Sequence, residues 1–128
     1  MARRRMRILL ADDSAQLRQF FVEFLGEFPD IEIAGEASNG RVAVELAKLL
    51  LPDVVIMDVN MPEMNGIEAT RTIRTSLPQV GVVGLSITDD ADFRKAMRQA
   101  GAADFVSKTA PLDVLITAVR KCGLARRS

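Results

Sequence analysis

One stretch constrains this chain more than any other: Pro52-Asp53-Val54-Val55-Ile56-Met57-Asp58-Val59-Asn60-Met61-Pro62-Glu63-Met64-Asn65-Gly66. Residues 54–57 form a continuous apolar run dominated by β-formers, too short for a helix and preceded by Pro52. Such a run reads as a strand buried on both faces, as a parallel sheet requires. Asp58 stands where the strand stops, and an unpaired charge at a core boundary is expensive. Residues 60–66 carry a proline and end on glycine, so the chain can turn sharply there. Ligands of open α/β sheets bind at the carboxyl ends of the strands. Asp58 is therefore a candidate functional residue, and an Asp that merely starts a turn is the plainer alternative.

The pattern recurs along the chain. Ile8-Leu9-Leu10-Ala11 ends in Asp12-Asp13, residues 80–86 end on Ser86, and Asp104-Phe105-Val106-Ser107 leads into Lys108. Ile31-Glu32-Ile33-Ala34 alternates, which predicts a strand near a sheet edge. Between these runs the apolar residues take helical spacing. Behind Ser14, a good N-cap, come Leu17, Phe20, Phe21, Phe24, Leu25 and Phe28. Val42, Ala43, Leu46, Ala47, Leu49 and Leu50 follow the turn Ser38-Asn39-Gly40. Ile67, Thr70, Ile73 and Leu77 form a narrow stripe, predicting a helix that leans on the sheet without being buried. Asp89-Asp90 caps a helix with Phe93, Ala96, Met97 and Ala100 inward, and Pro111 opens a last one with Leu112, Leu115, Ile116 and Val119 inward. Five strands alternating with five helices predict an α/β fold: one doubly wound parallel sheet with helices on both faces. Five strands suit the order 2-1-3-4-5.

At 128 residues the chain makes one domain, read as residues 7–122 between a basic tail over 1–6 and a tail over 123–128. Lys plus Arg and Asp plus Glu both number 17, so no net charge steers it toward nucleic acid or membrane. Arg3, Arg4, Arg5 and Arg7, and at the other end Arg120, Lys121, Arg126 and Arg127, read as solvated tails ahead of a nucleic-acid arm. No apolar run approaches a membrane span, no signal-peptide core follows the first arginines, and the single Cys122 fits a reducing cytosol. Histidine is absent, which removes Ser-His-Asp and Cys-His catalysis and histidine zinc sites. Any metal must then have oxygen ligands, as magnesium and calcium do.

In the order 2-1-3-4-5 the first and third strands are neighbours, so Asp12, Asp13 and Asp58 meet at the switch point. Three uncompensated carboxylates would repel one another. A divalent cation resolves this, and few protein ligands with spare water positions suit magnesium. Ser86 and Lys108 flank the other side with a hydroxyl and a positive charge, which together describe a pocket for a dianionic phosphoryl group.

These residues resemble the receiver domains of bacterial two-component response regulators. The likeness rests on residues 8–13, 53–66, Leu85-Ser86 and 101–108, in that order, and runs from about Arg7 to Arg120. Gly35-Glu36-Ala37-Ser38-Asn39-Gly40 and Gly66-Ile67-Glu68-Ala69-Thr70 are similar to the nitrate-regulator and nodulation-regulator subfamily. The resemblance implies a flavodoxin-like (βα)5 receiver fold and a phosphorylation-dependent signalling switch. Asp58 would accept a phosphoryl group from a phosphohistidine on a sensor histidine kinase or histidine phosphotransfer protein. Asp13 would bind Mg2+ directly, Asp12 mainly through water, and the Asn60 backbone carbonyl would complete the protein ligands beside Asp58. Lys108 would pair with a phosphoryl oxygen, Ser86 would move to hydrogen-bond it, and Phe105 would turn inward behind it. The output would be a population shift at the surface of the fourth and fifth strands, acting on a partner or an attached output domain. DNA would be reached only through such an output domain, and homodimerisation through the last strands and helices would fit.

Two positions depart from the family pattern. Ile87, directly after Ser86, is bulky where a small residue is usual, so it is expected to gate access to the phosphoryl group. Lys108 is followed by Thr109 and not proline, and a cis bond without proline costs about 2.5–4 kcal/mol. A magnesium-dependent aspartyl-phosphate phosphatase is the competing enzyme reading, but that chemistry wants an acid two residues past the nucleophile, where Asn60 stands.

Overall fold

The computed structural model describes residues 4–87 and 90–127, with side chains through residue 125. The strands are β1 (Met6–Ala11), β2 (Ile31–Ala37), β3 (Val54–Asp58), β4 (Gly81–Ser86) and β5 (Asp104–Ser107), and the helices are α1 (Ala15–Gly26), α2 (Gly40–Leu50), α3 (Gly66–Ser76), α4 (Ala91–Ala100) and α5 (Leu112–Arg127). All strands pair in parallel, in the order β2-β1-β3-β4-β5. This is the flavodoxin-like arrangement expected from the sequence.

Strand periodicity divides the core in two. Leu9, Ala11, Val55, Met57, Val82 and Phe105 point to the side of α2, α3 and α4. Ile8, Leu10, Val54, Ile56, Val83, Leu85 and Val106 point to the side of α1 and α5. A strand covered on both faces needs apolar residues at every position, which is why residues 54–57 are uninterrupted and fully buried. Gly84 brings α4 and β5 close: a Cβ there would lie 2.8 Å from Met97 Cε and 2.9 Å from Phe105 Cδ2. β2 and β5 are the edge strands, and the register of β2 with β1 slips by one residue between Ile8 and Leu9.

Several elements differ from the sequence reading. Phe20 is exposed, not core: it sits about 100° around the helix from Phe21 and touches that ring only edge-on, at 5.4 Å between centroids. The apolar residues of α1 are too many for one stripe, and Phe21 and Leu25 take the centre of it. In α2, Leu49 is 76% exposed while Val44 is buried. The buried stripe is centred on Ala43 and Ala47, and Leu49 lies on its far side. Burial of Gly66, Ala69, Thr70 and Ile73 makes α3 a packed helix, because it lies between α2 and α4. The described arginines near the termini are not free tails. Arg4 pairs with Asp53 at 2.9 Å, Arg5 with Glu32 at 3.3 Å and Arg120 with Asp30 at 3.0 Å. Arg7 donates to the Leu50 carbonyl at 2.6 Å, answering the exposed carbonyls at the end of α2. Asp90 is the N-cap of α4, accepting from Asp92 N, whereas Asp89 lies outside the described residues. No helix among the described residues is long and apolar enough to cross a membrane.

Two substitutions test this packing by urea denaturation. Ile56→Ala empties the centre of the sheet and is expected to cost about 2–5 kcal/mol. Gly26, at the end of α1, has no positive φ, and a Cβ placed on it would meet nothing within 4 Å. Gly26→Ala should therefore stabilise by about 0.4–1 kcal/mol through the unfolded chain.

Candidate functional site

The carboxyl end of the sheet gathers the polar residues. β1 and β3 are adjacent, with Ala11 level with Met57, so Asp12 leaves the sheet beside Asp58. β3 and β4 are adjacent with Asp58 level with Leu85, which sets Ser86 one residue further along. Ser86 is level with Ser107 on β5, and the Lys108 amide donates to the Ser86 carbonyl at 2.7 Å. Every residue of the group is thus carried on a strand end or just after it, where rigid backbone fixes its position. Asp12, Asp58 and Ser86 are buried, while Asp13 is exposed at the rim.

Local hydrogen bonds hold each buried carboxylate. Asp12 Oδ1 accepts from the Ser14 amide at 2.9 Å, and Ser14 Oγ in turn accepts from the Leu17 amide, so the turn that places Asp12 also caps α1. Asp58 Oδ1 accepts a long bond of 3.4 Å from the Asn60 amide. Gly66 completes the turn after Asp58. Its amide donates to the Val59 carbonyl at 2.8 Å, and a Cβ on it would overlap the Asp58 carbonyl oxygen. The glycine that the sequence marked as permitting a sharp turn is therefore required by close approach.

Lys108 Nζ reaches both buried acids, at 2.7 Å from Asp12 Oδ2 and 3.4 Å from Asp58 Oδ1. The shorter contact has ion-pair distance without hydrogen-bond geometry, so Asp12 Oδ2 is a buried oxygen that accepts no hydrogen bond. One lysine against three carboxylates leaves an excess negative charge in a region of low dielectric. Burial first, and then the charge of Asp12, push the Asp58 carboxyl up to about 6, with Lys108 and the Asn60 amide opposing.

Oxygens of Asp12, Asp13 and Asp58 lie within 4.8 Å of one another. Opposite corners of an octahedron with Mg–O bonds of about 2.1 Å are about 4 Å apart, so the three fit one small cation after minor adjustment. The excess charge, and an Asp12 Oδ2 that has an ion pair but no hydrogen bond, point the same way. The residues present therefore fit a magnesium ion.

Sequence reasoning missed Arg18. Its Nη1 donates to the Asp12 carbonyl at 2.7 Å and its Nε pairs with Glu36 at 3.3 Å, bracing the acidic turn from α1. The signal was present: a long side chain in the first turn of a helix leans back over the N-terminus. Phe105 is buried with its ring inward, and the Arg94 guanidinium lies 5.3 Å from its centroid. Ile87, directly after Ser86, is 66% exposed. The Lys108–Thr109 bond is trans, and no peptide bond among the described residues is cis.

The response regulator receiver domain family matches residues 8–120. The chain is similar to the response regulator GacA of Pseudomonas aeruginosa, 34% identical over 95% of this chain and 57% of that one. It is also similar to a protein-glutamate methylesterase/protein-glutamine glutaminase of Methanosarcina acetivorans, 45% identical over 81% of this chain and 30% of that one. Among solved structures, the signal receiver domain of the putative response regulator NarL from Mycobacterium tuberculosis superposes with a TM-score of 0.89 at 31% identity, covering 94% of this chain and 98% of that one. The chain thus spans about half or less of the length of these two curated relatives.

The raised Asp58 predicts a pH dependence of stability. Below the ordinary value of 3.8 the group is protonated in both folded and unfolded states and costs nothing. Between there and about 6 only the unfolded chain releases its proton freely, so folded stability falls as pH rises, and above 6 the cost is constant at about 3 kcal/mol, less whatever solvent screens at the sheet edge. Urea denaturation with chelator should find Asp58→Asn more stable than the natural protein at pH 8, with the gap closing near pH 4. Saturating magnesium at pH 8 should narrow the gap from the other side, by stabilising the natural protein. A gap of equal size at both pH values would contradict this account.

Proposed function

This chain belongs to the response regulator receiver domain family, whose general function is phosphorylation-dependent switching, and from that premise we propose that Asp58 is its phosphoacceptor. A carboxylate oxygen of Asp58 attacks the phosphorus of a phosphohistidine on a sensor histidine kinase or histidine phosphotransfer protein. The P–N bond breaks, imidazole leaves and takes up a proton, and Asp58 becomes an acyl phosphate. A pKa of about 6 leaves Asp58 ionised and nucleophilic at neutral pH. The observation that carries this reading is the convergence of three carboxylates and one lysine on a single point at the sheet's carboxyl edge.

Family members bind Mg2+ at an acidic pocket, and here Asp12, Asp13, Asp58 and the Asn60 carbonyl would hold it. Bound magnesium offsets charge on the phosphoryl oxygens during transfer. Lys108, now shared between Asp12 and Asp58, would turn to a phosphoryl oxygen. Ser86, one residue beyond the level of Asp58 on the adjacent strand, would supply a hydroxyl to another. Movement of Ser86 would then alter the packing of Phe105 and with it the surface of β4 and β5, which a partner or attached output domain reads. The chain acts as a switch and not a turnover enzyme, since Asn60 provides no acid for a leaving group. Its place is the cytoplasm, and the working domain extends past the bounds 7–122 read from the sequence, since Met6 is buried at the start of β1 and α5 continues to Arg127.

Ile87, exposed and directly after Ser86, is assigned a gating role. Incubation with acetyl phosphate, followed by intact mass measurement, tests both claims. One phosphoryl adduct is expected, dependent on magnesium and lost in Asp58→Asn. Ile87→Ala should speed both labelling and decay of the adduct several-fold. An adduct that survives in Asp58→Asn would refute the assignment, and unchanged rates in Ile87→Ala would remove the gate.

A further inference from the structure

Two helix starts in this chain carry the same dipeptide, Asn39-Gly40 at α2 and Asn65-Gly66 at α3. In each the asparagine is the N-cap, its side chain accepting from the amide three residues on: Val42 at 2.9 Å and Glu68 at 2.9 Å. In each the glycine is buried against the backbone of the loop that joins β3 to α3. A Cβ on Gly66 would overlap the Asp58 carbonyl oxygen, at the loop's beginning. A Cβ on Gly40 would overlap the Met64 carbonyl oxygen and lie 2.6 Å from its carbon, near the loop's end. Both contacts are to main chain, which cannot rotate away as a side chain can.

The first half of the loop is anchored: Val59 and Met61 are buried, the Val59 amide donates to the Leu85 carbonyl at 3.1 Å, and the Gly66 amide donates to the Val59 carbonyl at 2.8 Å. Residues 62–64 have less of their own to fix them, chiefly the bond from Met64 N to the Pro62 carbonyl at 2.8 Å. Glu63 sits at φ 68°, in the left-handed region that a non-glycine residue takes only when its surroundings hold it there. Arg41, next to Gly40, donates from Nε to Glu63 Oε2 at 3.0 Å and from Nη1 to Glu45 at 2.9 Å. The Arg41–Glu63 pair is more than half exposed on both sides, so it contributes little by itself. The main-chain contact at Gly40 is the larger constraint.

We infer that Gly40 is a positioning residue for the magnesium site. The N-terminus of α2 seats directly on Met64 and holds residues 59–65 in the conformation that presents the Asn60 carbonyl beside Asp58. This rests on the proposed metal role of that loop and adds to it a residue from a different helix, well before Asp58 in the chain. A side chain at position 40 would push the loop at Met64 and shift the Asn60 carbonyl upstream of it. The site would lose affinity for the ion while the sheet and core remain intact.

The test is isothermal titration of the whole chain with magnesium chloride, alongside far-UV circular dichroism. The natural protein should bind one ion, and Gly26→Ala, whose Cβ meets nothing, should bind it equally well. Gly40→Ala should keep the natural spectrum and bind at least tenfold more weakly. Arg41→Ala should weaken binding only two- to threefold, with Arg41→Lys restoring most of it. A folded Gly40→Ala with affinity within twofold of the natural protein would overturn the inference. Should Gly40→Ala fail to fold, Asn39→Ala decides, because it loosens the same helix start without adding a side chain: weaker magnesium binding is expected there, and unchanged affinity overturns the inference as well. Failure of the natural protein itself to bind magnesium would instead strike at the metal reading on which the inference rests.

Discussion

Repulsion among the carboxylates at the end of β1 and β3 is the constraint from which the rest of this molecule follows. Asp12 and Asp58 are buried side by side, with one lysine to offset them and a third acid at the rim. Left alone, such a group costs stability: burial first, and then the charge of Asp12, raise the Asp58 carboxyl. The fold maintains it because strands buried on both faces are rigid and their ends cannot drift apart. A site held at a cost in the absence of its ligands binds a cation, and then a phosphoryl group, more favourably when they arrive. The same tension makes the site a switch, since changing the charge on Asp58 changes which arrangement of its neighbours is lowest in free energy.

The opposite end of the sheet has the contrary character. Asp53 accepts from the Arg7 amide at 2.8 Å and from Arg4 at 2.9 Å, and Arg7 closes the end of α2. Each of these charges has a partner. One end of the sheet is electrostatically satisfied and the other is not, which localises function to the carboxyl edge. Among the described residues, Arg4, Arg5, Arg7 and Arg120, which in sequence suggested solvated tails, are taken up by local pairing of this kind.

Much of the site was legible because strand ends are legible. A short apolar run with a polar residue at its end gives the position of that residue in the sheet, so Asp12, Asp13, Asp58, Ser86 and Lys108 converge once the strand order is known. Helix faces were less legible. Phe20 and Leu49 are as apolar as their buried neighbours, and only the line along which each helix meets the sheet decides which are covered. Thr70 and Ala69 are buried because α3 has a helix on either side, a fact about neighbours that its own sequence does not carry. Arg18 escaped notice for a related reason: its position at the start of α1 was legible, but its partner is a main-chain carbonyl, which no residue type announces.

The sequence by itself determined the alternation of strands and helices, the burial of the sheet on both faces and the set of side chains at its carboxyl edge, because these depend on periodicity and on hydrophobicity averaged over several residues. Only the tertiary structure decided how those side chains pair, which oxygen is left without a hydrogen bond, and which glycines are required by close approach. Gly26 and Gly40 cannot be told apart as letters, yet one borders open space and the other the Met64 carbonyl. That difference arises from contacts between residues distant in the chain, and those exist only once the helices have docked.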